Sequence, residues 1–189
     1  MSDIPNFLVP IVGFRSRKAA QLCAKFACAA GGTIEKLKLI KLIYLTERAF
    51  IRDHRVPMLF DELYSLPHGP ICSSTLNGIN GGVQEEIWSE YIARNGNIVV
   101  SVHRSDRESL DELSDAEIAT AEDVWNQRGH MTASQLRNFT HDNCPEYTEV
   151  EDGRVPITYA DLLTALGDNR AEEIDREIQE IRRAESVLS

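Results

Sequence analysis

At 189 residues, with 42% hydrophobic and 26% charged side chains, the chain has the size and makeup of one folded domain with at most a small appendage. No apolar run approaches the ~20 residues that span a bilayer, and a net charge of −10 argues against non-specific nucleic-acid binding, which needs a basic footprint. The charge is uneven: residues 1–55 hold ten basic and four acidic groups, residues 56–189 ten basic and twenty-six acidic, and every lysine lies at or before Lys41. Two readings of the acidic part stay open: it serves solubility, or it attracts a basic partner.

Met1 to Gly13 has no basic stretch ahead of an apolar one and is read as carrying no signal peptide. Cys23, Cys28, Cys72 and Cys144 form no C-x-x-C pair, so reduced, partly buried thiols of a cytoplasmic protein are expected.

The first helix is predicted from about Arg15 to Ala30, with Ala20, Cys23, Ala24 and Ala27 as a small-residue face. Gly31-Gly32 ends it, and Thr33 is expected to cap a second helix, Ile34 to about Asp53, through its hydroxyl. That helix carries Leu37, Leu39, Ile40, Leu42, Ile43, Leu45, Ala49 and Phe50 on more than one stripe, so it should be central and contacted from several sides. Asp61 to Pro67 reads as extended. Pro70 suits the first turn of a short helix ending near Gly78.

Glu86 to Arg94 alternates as a strand would, Asn95-Gly96 reads as a hairpin turn, and Ile98 to His103 as the return strand. A lone hairpin is marginal, so it should pack on helices or recruit Asp61–Pro67 as a third strand. Three capping boxes follow: Ser114 with Glu117, Thr132 with Gln135, and Thr158 with Asp161. They open helices to about Gly129, His141 and Leu166. The tail, about Ala171 to Val187, sets Ile174, Ile178 and Ile181 on one narrow stripe. It has three candidate seats: the domain, a partner, or a second copy of the chain.

The expected architecture is mainly α: a compact helical domain built around one central helix, with a small antiparallel hairpin or three-stranded sheet and a C-terminal helix. The expected division is residues 1–167 for the domain and 168–189 for the charged tail.

Chemistry-bearing motifs are sparse. His141 and Cys144 lack the second ligand pair a structural zinc needs. No Gly-rich phosphate loop or nucleophile elbow is present. Glu85-Glu86, Asp111-Glu112 and Glu172-Glu173 are neighbours that point apart, as on solvated faces. No catalytic residue, cofactor or metal is therefore expected. His68-Gly69-Pro70 is either a connector or a rigid turn presenting His68 at a binding surface. Lys41 and Arg48, seven apart on the central helix, share a face and are placed to pair with acidic groups of the chain.

Lys38-Leu39-Ile40-Lys41-Leu42-Ile43-Tyr44-Leu45 is similar to the K-L-x-K-L-L-Y-x-A helix of Panacea-domain proteins, the group that includes SocA-like antitoxins. His68-Gly69-Pro70-Ile71 resembles the G-P-V/I signature of that family. Leu113-Ser114-Asp115 to Val124-Trp125, then Ser134-Gln135-Leu136 and Thr140-His141, resembles its closing pattern, and Pro156-Ile157 with Ala160-Asp161-Leu162-Leu163 its terminal segment. Pro145-Glu146-Tyr147 stands where the family often carries a tryptophan, and the tail lies outside the resemblance.

The resemblance implies an antitoxin of a type II-like two-gene module that neutralises a toxin encoded next to it by direct contact. Toxic nucleotide synthetases that modify tRNA are among the toxins so paired. The alternative is an adaptor that delivers the toxin to a AAA+ protease. It implies Lys38, Lys41, Leu42, Tyr44, Trp125 and Thr140 as fold-defining residues. Partner contacts are expected from Glu62, Tyr64, His68, Gly69, Pro70, His141, Ile174 and Ile178, with homodimerisation as a further expectation and neither membrane nor nucleic acid as a partner.

Overall fold

The computed structural model describes residues 13–102 and 106–188. Met1–Val12 and His103, which bear on the leader reading and on the end of the return strand, lie outside them. The described chain is mainly helical, with two small antiparallel sheets.

Helix α1 (Ser16–Ala29) buries Ala20, Cys23, Ala24 and Ala27 together with Leu22 and Phe26. Thr33 does not cap the next helix. Thr33–Glu35 is a strand, β1, and α2 (Lys36–His54) begins after it with no side-chain cap. The start of α2 is held instead by the Lys36 N–H, which donates to Asn97 O at 2.7 Å. Helix α2 packs against α1 and several later elements, and Leu39, Leu42, Ile43, Tyr44 and Ile51 are fully buried along it. Each such Leu or Ile contributes about 1.5–3 kcal/mol, so this helix organises the core. The N–H of Arg55, in the left-handed region (φ 57°), closes its C-terminus on Ile51 O.

Strand β2 (Leu63–Leu66) falls in the segment expected to be extended. Pro70, however, sits in strand β3 (Gly69–Cys72), not in a helix. There it pairs across from Ser65. Strand β3 is at the sheet edge, where a residue without an N–H is tolerated. Helix α3 (Ser73–Asn80) is capped from a distance: the buried Asp61 carboxylate accepts from Ser74 N (2.7 Å), Thr75 N (2.9 Å) and Thr75 Oγ1 (2.7 Å).

The apparent strand Glu86–Arg94 is mostly helix: α4 spans Glu85–Tyr91, and only Ile92–Asn95 forms β4. Packing overrides the alternation, because helical spacing turns Trp88 onto Gly78 of α3. A Cβ at Gly78 would lie 1.9 Å from the indole. Strand β5 (Ile98–Ser101) returns from a two-residue turn, Gly96-Asn97, one position later than expected, with Gly96 at φ 60°. The third strand of this sheet is β1, in the order β1-β5-β4, whereas the Asp61–Pro67 segment contributes β2 to a separate sheet.

All three capping boxes form, opening α5 (Asp115–Arg128), α6 (Ala133–Asn143) and α7 (Tyr159–Ala165). Between the last two, β6 (Val155–Ile157) completes the second sheet in the order β3-β2-β6. The tail forms α8 (Ala171–Leu188), which packs on α7 and buries Ile174 and Ile178. Ile181 stays 40% exposed. Arg182 ties α8 to the core by donating to Phe60 O (2.6 Å) and Asp61 O (2.8 Å). Of the three seats open to the tail, the domain itself is the one it takes.

Candidate functional site

The hairpin β2–β3 lies over α2 and α6, and its turn brings together residues far apart in sequence. Gly69 has φ 94°, and a Cβ there would meet Lys41 Nζ at 2.9 Å, Thr140 Oγ1 at 3.0 Å and His141 Cδ2 at 3.1 Å. Only glycine fits both the backbone angle and the space. The buried Lys41 ammonium donates to Pro70 O at 2.8 Å. Burial, with Arg137 nearby, pulls its pKa down to about 7. His141 stacks on Tyr147 with ring centroids 4.4 Å apart. Burial and the neighbouring cations Arg137 and Lys41 hold it below the usual histidine range. Its Nε2 has no hydrogen-bond partner. Tyr147 returns to the hairpin by donating to Leu66 O at 3.1 Å.

A second knot locks α2 to the segment after α6. Glu146 Oε1 accepts from Tyr44 Oη and from Arg48 Nε, both at 2.7 Å. The expectation of an ion pair on this face is met by Arg48, while Lys41 takes a backbone carbonyl instead. Cys144 is buried beside this knot, and burial pushes its thiol up to about 12, away from the thiolate a nucleophile needs. No group of three or more potential ligands that could hold a metal occurs among the described residues.

Lys38 lies over the Trp125 ring (5.4 Å to the centroid) and donates to Gly129 O at 2.5 Å, joining α2 to the end of α5. Leu42 is wholly buried.

The residues expected to contact a partner therefore fall in three places. His68 is exposed at the hairpin turn, with Gly69, Pro70 and His141 packed behind it. Glu62 and Tyr64 line a smaller cleft of about 200 Å³ with Pro156, Asp175, Gln179 and Arg182. Ile174 and Ile178 belong to the chain's own core, 2% and 1% exposed, and present nothing to a partner in this structure.

A larger cleft of about 360 Å³ opens between the turns of the two hairpins. Its walls are Leu37, Ile40, Leu66, Pro67, Ile71 and Leu76, and Glu35, Lys36, His68 and Asn97 also border it. Sequence reasoning places Leu37 and Ile40 in the core and does not single out Leu66, Leu76 or Asn97. Their meeting depends on how the two sheets sit around the start of α2, which no local pattern encodes.

The family model described as antitoxin SocA-like, Panacea domain, matches residues 39–147, more than half of the chain. No curated protein and no solved structure matches. The matched span contains Lys41, Gly69, Pro70, Thr140, His141 and Tyr147 of the first knot and Tyr44, Arg48 and Glu146 of the second. No helix of the described residues is long and apolar enough to cross a membrane.

Proposed function

This chain belongs to the SocA-like antitoxin family through its Panacea domain, and we propose that it holds a cognate protein toxin inactive by direct, stoichiometric contact. The family match carries the reading, since it supports an antitoxin role and implies a toxin as partner. The geometry agrees with a binding role. The Lys41, Thr140 and His141 contacts brace the hairpin turn from behind and leave His68 outward, as a preformed recognition element requires. Lys41 is engaged with Pro70 O and the Cys144 thiol is held protonated by burial, which fits a chain that acts by occupying the toxin.

Co-expression with the product of the neighbouring gene tests the proposal. Growth arrest by that product alone, rescue by this chain, and recovery of both proteins intact in one complex are the expected results. A neighbour that is harmless alone, or that stays toxic beside this chain, overturns it. Rescue that disappears in a protease-deficient host, with the toxin degraded in the wild-type host, indicates delivery to a protease instead.

A further inference from the structure

The cations of this chain fall into two groups. One group sits on carboxylates, as Arg17 on Glu90 (2.6 Å), Lys18 on Glu117 (2.6 Å), Lys25 on Glu122 (2.8 Å) and Arg55 on Asp168 (2.6 Å); the other rests on neutral oxygens, as Lys38 on Gly129 O and Arg182 on Phe60 O and Asp61 O. The cations at and next to the larger cleft belong to the second group. Lys36 Nζ donates to the side-chain oxygen of Asn80 at 3.0 Å, and Lys41 Nζ to Pro70 O. Arg137 stands behind the cleft wall, its Nη2 reaching Pro67 O only at 3.5 Å, and its buried Nε has no hydrogen-bond partner. None of these three forms an ion pair among the described residues. In a chain of net charge −10, this region holds cations without an ion-pair partner beside an apolar cavity. Glu35 is the one carboxylate among the residues bordering the cleft.

A concave apolar seat with unpaired cations beside it suits an apolar anchor flanked by negative charge. We propose that the toxin docks here: a large apolar side chain of the toxin fills the cleft between Leu37, Leu66 and Leu76, and carboxylates flanking it meet Lys36 and Arg137. The inference rests on the antitoxin reading and adds to it the face and the chemistry of the partner. The docking segment is acidic and apolar, although the antitoxin itself is acidic overall. Lys36 and Arg137 then exchange neutral oxygens for carboxylates on binding, which gives charge-assisted hydrogen bonds.

Binding of the full chain to its purified toxin, measured by calorimetry at low and moderate salt, tests the assignment with three variants. Lys36→Glu and Leu76→Asp alter the cleft, and Glu180→Lys alters the exposed face of α8. The expected result is a loss of affinity of at least tenfold for each cleft variant, a weaker salt dependence for Lys36→Glu, and unchanged binding for Glu180→Lys. Circular dichroism checks folding, and if Leu76→Asp unfolds, Lys36→Glu decides alone, because its side chain lies at the border of the cleft. Unchanged binding by folded cleft variants overturns the inference and leaves the antitoxin reading standing. The same holds if Glu180→Lys alone weakens binding, or if Lys36→Glu abolishes only self-association of the chain. Failure of the unchanged chain to bind overturns both.

Discussion

Replacing Gly69 by alanine separates two costs that the hairpin turn combines. The first is backbone strain. A residue with a Cβ held near φ 94° loses about 1–2 kcal/mol. The second is packing. The new methyl would lie 2.9 Å from Lys41 Nζ, so the ammonium must retreat from Pro70 O or the hairpin must lift from Thr140 and His141. Leaving a buried polar pair broken costs about 1–3 kcal/mol more. Gly69→Ala should therefore destabilise the chain by about 2–5 kcal/mol in urea unfolding. Gly31→Ala is the matched control, since Gly31 has φ 90° but a Cβ added there would meet nothing within 4 Å. It should lose only the strain, about 1–2 kcal/mol. Equal losses for the two variants would refute the claim that the Lys41–Pro70 contact locks the hairpin.

Two further outcomes follow from buried charge. Glu47 is fully buried, accepts from Met58 N (3.1 Å) and Leu59 N and forms no salt bridge among the described residues, and burial raises its pKa to about 8. A carboxyl raised in the folded state is stabilising while protonated, so its contribution is complete below about 4.5 and is lost as pH rises through about 8. Lys41, lowered to about 7, works in the opposite sense, with stability gained as pH rises above that value. The stability of Glu47→Gln minus that of the unchanged chain should thus increase between pH 5 and pH 8, and a flat difference would contradict the assignment. Glu146→Ala leaves Arg48 and Tyr44 without their shared acceptor and should cost about 2–4 kcal/mol in thermal or urea unfolding; a loss below about 0.5 kcal/mol, typical of a surface change, would show that the knot is not structural.

What the sequence reveals and what it hides divide by range. The capping boxes at Ser114, Thr132 and Thr158 are local hydrogen-bond patterns spanning three residues, and each forms at its expected position. The central helix is legible because its apolar residues cover more than one face. Failures come where a distant partner decides a local choice. Thr33 leaves its capping role because β5 offers it a strand to join. Glu85–Tyr91 turns helical because Trp88 finds the space left by Gly78. Pro70 is fixed in an edge strand by Ser65 across the sheet. The site shows the same division. The motif residues Lys41, Gly69, Pro70, Thr140 and His141 are visible in the sequence as separate pieces, but their contact exists only in three dimensions. The cleft walls Leu66 and Leu76 carry no local signal at all. The stripe of Ile174 and Ile178 needs cover on sequence grounds, and α7 of the same chain supplies it.

The central claim is direct neutralisation, and titration of the purified toxin's activity with this chain tests it most directly. The account predicts that activity falls linearly and reaches zero at a fixed stoichiometric equivalence, with no protease present and the toxin recovered intact. Activity that persists at saturating concentrations of the chain, or that falls only when a protease is added, would contradict it.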